Sequence, residues 1–393
     1  MILKDQPDAA PSAARTRPAG QLHLALAALA AALLMSASAL LAQDAAPAAE
    51  PPETLTIRAA QVLHPGHPIA RGLEYMAMLV RERSGGRLLL EILPPSQFTG
   101  ERELIERVQM GDLDLIVITT APLYGFTNDF MALDLPYVFD SPQTARKVLD
   151  GPFGEKTLQS ALGVGLVGLA YYENGLRHIS TSDRAVAVPG DLKGLKIRTL
   201  ESRIHMEVFR TLGATPVPLA FGDLYQTLKS GNVDGEENPL SVIMTSRFYE
   251  VQKNLALTGH FYLPSPMFIA AGVWNKLPES HRELLRSASR DAMHYHRAVA
   301  DGFSGPETLE FLKSRMKVEE RPDLALWKSA LAPVRDRFKA EIGEEALAEL
   351  DREIARVTSG DAPAAASSAA EPPAAASSAA ASEAAAPAAA LAE

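Results

Sequence analysis

The chain contains no cysteine. Disulfides, thiolate metal sites, iron–sulfur clusters, a cysteine nucleophile and a lipid-bearing amino-terminal cysteine are therefore excluded. Positive charge is also in short supply. The 38 Lys and Arg face 48 Asp and Glu, for a net charge of −10, whereas a nucleic-acid binder needs a basic footprint. Aromatics make up only 6% of the chain, yet the 2 Trp, 9 Tyr and 13 Phe all fall between Thr54 and Gly360. The scarcity belongs to the ends, and the middle is ordinary globular sequence. Catalytic signatures are missing too: there is no Gly-x-Ser-x-Gly elbow, no Gly-x-x-x-x-Gly-Lys loop and no His-Glu-x-x-His helix.

What is present begins with an apolar run from Leu22 to Met35, interrupted only by His23. At about 14 residues it is short of the roughly 20 that span a bilayer. Lys4, Arg15 and Arg17 precede it and Ser36-Ala-Ser-Ala39 follows, the pattern of a secretory signal peptide. Residues 1–42 are read as that signal, cleaved after Ala39 or Ala42; the alternative is an uncleaved anchor continuing through Leu41 and Ala42. No adjacent arginine pair marks the twin-arginine route. Residues 43–53 (Gln-Asp-Ala-Ala-Pro-Ala-Ala-Glu-Pro-Pro-Glu) read as a linker. Residues 361–393 consist almost wholly of Ala, Ser, Pro and Glu, with Pro-Ala-Ala-Ala-Ser-Ser-Ala-Ala repeated at 363 and 373. Such a segment buries too little to offset its ordering entropy, so a disordered tail is expected.

Between these ends, short apolar strands alternate with amphipathic helices, predicting an α/β fold. Strands are expected at 55–59, 87–93, 114–118, 164–172 and 195–200. Helices are expected from Pro68 to Ser84, Glu101 to Met110, Ser202 to Leu212, Gly222 to Ser230, Pro278 to about Ala300, Pro306 to Arg315, Asp323 to Phe338 and Glu344 to Val357. The stretch after Pro278 is long enough to lie across two domains. His64 and His67 flank a Pro-Gly turn with no carboxylate to complete a metal set, so no metal is expected there. His294 and His296 are expected to be surface residues.

The specific stretch runs from Tyr171 to His260. It carries Asn174-Gly-Leu-Arg177-His, Pro189-Gly-Asp-Leu-Lys-Gly-Leu-Lys-Ile-Arg198, Leu212-Gly-Ala-Thr-Pro-Val-Pro-Leu and Gly231-Asn-Val-Asp-Gly-Glu-Glu-Asn238-Pro. Pro94-Pro-Ser-Gln-Phe-Thr-Gly, Leu133-Asp-Leu-Pro-Tyr-Val-Phe, Phe248-Tyr-Glu-Val-Gln-Lys and Thr258-Gly-His add to the series. In order and spacing these resemble the DctP-type substrate-binding proteins of tripartite ATP-independent periplasmic (TRAP) transporters.

The resemblance implies a two-lobed periplasmic-binding-protein fold with a hinge and a long helix spanning both lobes. The expected lobes are 54–175 with 264–303, and 176–263 with 304–360. It implies a carboxylate clamp at Arg198, whose planar fork suits a carboxylate and which ends a predicted strand, where ligands of open α/β sheets collect. It further implies a second arginine at Arg177, an amide from Asn238 and an aromatic lid at Phe221. Glu201, Glu237, His67 and Gln97 complete the candidate site. Glu201 stands where sialic-acid binders carry an asparagine, and Thr119 and Pro122 where they carry an acid and a base. A sugar acid such as a uronate or aldonate, or a C4-dicarboxylate, is the expected ligand, handed to small and large integral-membrane subunits. The resemblance implies a monomeric periplasmic receptor with no catalysis and no cofactor. An exported hydrolase or lyase acting on a carboxylate, or a sensor that presents its ligand to a signalling partner, is the alternative.

Overall fold

The computed structural model describes residues 54–359. The signal segment 1–42, the linker 43–53 and the tail 361–393 lie outside the described residues. Nine strands form one mixed sheet: β1 (Leu55–Ala60), β2 (Leu88–Ile92), β3 (Leu115–Val117), β4 (Leu166–Thr181), β5 (Lys196–Thr199), β6 (Thr215–Pro218), β7 (Gly235–Asn238), β8 (Asn254–Ala270) and β9 (Lys317–Glu319). Their order is β2-β1-β3-β8-β4-β7-β5-β6, with β9 beside β8. Twelve α-helices accompany the sheet among the described residues.

The sheet has two halves with the same logic. β1 runs parallel to β2 and β3, and helix Pro68–Arg83 supplies the β1–β2 crossover. In the other half β5 runs parallel to β6 and β7, with helix Arg203–Thr211 between β5 and β6. The long strands β4 and β8 join the halves as an antiparallel ribbon from Leu166↔Ala270 to Thr181↔Asn254. One end of the ribbon takes up β3, and the other takes up β7 and β9. Its register shifts between Gly168 and Ala170, Glu173 and Gly175, and Arg177 and Ile179. Gly175 sits at the middle shift with φ +113, a conformation that favours glycine.

This ribbon is where the structure departs most from the sequence reading. β4 extends nine residues beyond the predicted Tyr172 end, and β8 had no predicted counterpart. Gly259, Pro264 and Pro266 interrupt the strand pattern, and proline normally marks an edge or a bulge. Here Pro264 and Pro266 contribute only their carbonyls, which accept from the Thr120 and Ile118 N–H groups at 3.3 Å. Each proline thus keeps one of the two bonds that such an antiparallel pair exchanges, as acceptor, and forgoes the other.

Helix boundaries follow the sequence closely. Glu101–Met110 ends on left-handed Gly111 as read, Ser202 caps Arg203–Thr211, and Asp323 caps a helix that continues through Pro333 to Ile342. The predicted 222–230 helix opens as a 3₁₀ turn, Phe221–Asp223, before Leu224–Lys229.

The 25-residue helix Glu279–Phe303 packs on helix Pro68–Arg83 and β4, and also meets helix Leu240–Thr245. Arg297 grips Asp150 with two bonds, 2.6 and 2.8 Å. His296 corrects the expectation of a surface residue: it is fully buried, stacked on Tyr172 at 4.5 Å and hydrogen-bonded to the Glu173 backbone. Its spacing on the helix places it on the packed face, whereas His294 is exposed. The last helix, Glu344–Thr358, packs on helices Pro142–Leu149 and Pro152–Ser160.

Candidate functional site

Arg198 is the third residue of β5, in a stretch buried from Ile197 onward. Its side chain is 1% exposed. Nε and Nη2 both donate to the Leu219 carbonyl, at 2.9 and 2.6 Å, which fixes the plane of the guanidinium. Nη1 is buried with no hydrogen-bond partner among the described residues, and no carboxylate there lies within ion-pair distance of Arg198. Burial and the neighbouring Arg177 cation pull its pKa down to about 10, against the pull of Glu237, Glu236 and Glu101. A buried cation with an unused donor is costly unless an anion completes it.

Arg198 lines a narrow cleft with a free volume of only about 20 Å³. Leu200, Glu201 and Phe221 line it beside Arg198; Glu101, Arg102 and Pro122 line it from the half that carries β1–β3. Glu201 is exposed and Phe221 half-buried, with the Phe221 ring 6.1 Å from that of Phe248. Glu101, the first residue of its helix, accepts from the Thr119 N–H at 2.8 Å and from the Thr119 hydroxyl. Burial raises its carboxyl pKa, opposed by those two bonds and by the charges of Arg177 and Arg198. Arg102 lies over the Phe126 ring at 5.2 Å and donates to Glu106.

Arg177, Asn238 and Glu237 form a separate buried layer, coupled to Arg198 through charge. Arg177 Nε reaches Glu237 Oε2 at 2.5 Å, Nη2 reaches Oε1 at 3.0 Å and the Glu237 carbonyl, and Nη1 reaches Asn174 Oδ1 at 2.9 Å. All three nitrogens are thus occupied within the protein. His205 Nδ1 and His260 Nε2 stand 3.5 and 3.4 Å from the Glu237 carboxylate. Burial works against the Glu237 charge, but Arg177 and the two histidines hold its pKa well below the usual range. Glu236, on the next residue, accepts from Ser180 and from Asn238 Nδ2 at 2.5 Å, and burial pushes it up to about 7.

The remaining two candidates stand apart. His67 is buried; its Nδ1 accepts the Ile69 N–H at the start of helix Pro68–Arg83, and its Nε2 meets Ser241 Oγ at 3.1 Å. Nδ1 thus caps its own helix and Nε2 ties it to helix Leu240–Thr245. Gln97 is exposed, at the end of a 3₁₀ turn, and does not line the cleft. The residues that sequence reasoning missed are Glu101, Glu236, His205 and His260. His260 carried a signal in Thr258-Gly-His and Glu236 in Gly231-Asn-Val-Asp-Gly-Glu-Glu-Asn238-Pro; Glu101 looks like an ordinary first-turn acid.

A family model described as bacterial extracellular solute-binding protein, family 7 (DctP), matches residues 59–341. A "Solute-binding protein" of Verminephrobacter eiseniae is 37% identical over 303 residues, covering 77% of this chain and 89% of its own. A TRAP periplasmic solute-binding protein from a Polaromonas species, solved bound to D-erythronate, aligns at 34% identity with a TM-score of 0.73, covering 75% of this chain and 98% of that one. A sugar-acid-binding protein from Advenella mimigardefordensis in complex with galactonate aligns at 30% identity with a TM-score of 0.75, covering 77% and 99%.

Proposed function

Because this chain belongs to the DctP family of bacterial extracellular solute-binding proteins, and is a binding protein rather than an enzyme, we propose that it captures a sugar acid by an arginine clamp at Arg198. The carrying observation is the buried, unpartnered Nη1 of Arg198, a residue that lines the cleft. A ligand carboxylate there completes the donor set of the guanidinium and neutralises its charge. Phe221 covers the ligand, Glu201 meets hydroxyls at the rim, and Asn238, Glu237 and Arg177 form the buried layer that holds the clamp in place. The erythronate and galactonate bound by two structural relatives support an aldonate-like ligand.

The lobes are 54–175 with 264–303, and 176–263 with 304–360, closing about the β4–β8 ribbon near Gly175. The last helix returns to pack on 142–160. The protein works in the periplasm as a monomer, exported by residues 1–42, and hands its ligand to the small and large membrane subunits of a TRAP transporter. A thermal-shift screen tests the reading, since a ligand that binds only the folded state raises the melting temperature. Galactonate, erythronate or galacturonate at millimolar concentration is expected to raise it by several degrees. No shift with any organic carboxylate would contradict it.

A further inference from the structure

We propose that Glu101 is a specificity-determining residue of this cleft: a fixed hydrogen-bond acceptor that selects hydroxylated monocarboxylates against dicarboxylates. The inference rests on the sugar-acid reading above and adds a residue on the half of the sheet opposite Arg198.

Glu101 lines the same cleft as Arg198, but the two come from different halves: Glu101 opens helix Glu101–Met110 and Arg198 sits on β5. The Thr119 backbone N–H can only donate, so the carboxylate oxygen 2.8 Å away is an acceptor; the second oxygen receives the Thr119 hydroxyl. These two bonds fix the orientation of the carboxylate and leave each oxygen a spare lone pair. What Glu101 offers the cleft is therefore acceptor capacity, and the charges of Arg177 and Arg198 favour its ionised form. A ligand hydroxyl satisfies that capacity. A second ligand carboxylate brings only acceptors and like charge, which is repulsive at short range in a desolvated site.

Glu201 shares the sign of charge, but it is exposed at the rim, where water screens it. Arg102, the other cation lining the cleft, is exposed and shares its charge with Glu106 and the Phe126 ring. The site thus pairs one buried, unsatisfied cation with one held acid across the cleft. That arrangement matches a molecule with a carboxylate at one end and hydroxyls along the rest.

Calorimetric titration of the wild type, Glu101→Gln and Glu101→Asp with D-galactonate and with succinate tests this. The wild type is expected to prefer galactonate. Glu101→Gln should weaken galactonate about tenfold or more while leaving succinate within about twofold or tightening it. Glu101→Asp keeps the charge and should still disfavour succinate. The ratio of the two affinities within one protein sample is insensitive to any fraction that fails to fold. An unchanged ratio in Glu101→Gln would overturn the assignment while leaving the receptor reading intact. A wild type that binds neither ligand nor any other sugar acid would overturn both.

Discussion

At the residue scale, two buried carboxylates one position apart behave in opposite ways. Glu237 is ion-paired to Arg177 and held low, whereas Glu236 accepts from Ser180 and Asn238 and is pushed to about 7 by burial. For Glu236 the folded state keeps a proton that the unfolded chain releases. Its contribution to stability is full below the ordinary value of 4.5 and is lost as pH rises through about 7. The shift corresponds to roughly 3 kcal/mol at most. Urea unfolding of Glu236→Gln between pH 4.5 and 8 should therefore show a flatter pH dependence than the wild type, with a residual slope from Asp134, which burial also lifts to about 7. An identical slope would contradict the assignment. Among single residues, Arg198, Glu201 and Phe221, singled out on the motif series and its surroundings, do line one cleft. His67 was misleading: His-Pro-Gly-His looks open to ligands, but the ring is the cap of the helix that follows.

At the element scale, the crossing from one half of the sheet to the other is concentrated where β4 changes register. Glu173 stands there, bonded twice by Arg146 at 2.7 and 2.6 Å and once by the Tyr262 hydroxyl at 3.0 Å. Arg146 also reaches Asp301 near the end of the long helix. Two residues on, Gly175 adopts φ +113 with no atom closer than 3.7 Å to where a Cβ would lie. Space is available, so Gly175→Ala would fail through backbone strain alone. A cost of about 1–3 kcal/mol is expected, read as a lower urea midpoint with an unchanged m-value. A midpoint equal to wild type would show that the ribbon tolerates another conformation. The helices were readable from caps and left-handed glycines, because those signals are local. The ribbon was not, because its prolines break the local strand pattern while the strands that pair with it lie far away in sequence.

At the scale of the whole molecule, the absences noted in the sequence fit a binding protein: no thiol, no nucleophile elbow and no basic footprint are needed to hold an acid. The α/β class and the long helix followed from pattern and resemblance. The opposed placement of Glu101 and Arg198 did not, since only the fold brings position 101 to position 198. The central claim is that Arg198 is the anion clamp and Arg177 a support. Removing one partner of a buried charge pair costs about 3–5 kcal/mol, and 1.4 kcal/mol is one decade of affinity. Calorimetric titration of galactonate into the wild type, Arg198→Ala and Arg177→Ala is the most direct measurement. Arg198→Ala should bind at least about a hundredfold more weakly than wild type and more weakly than Arg177→Ala; tight binding unchanged by Arg198→Ala would contradict the account.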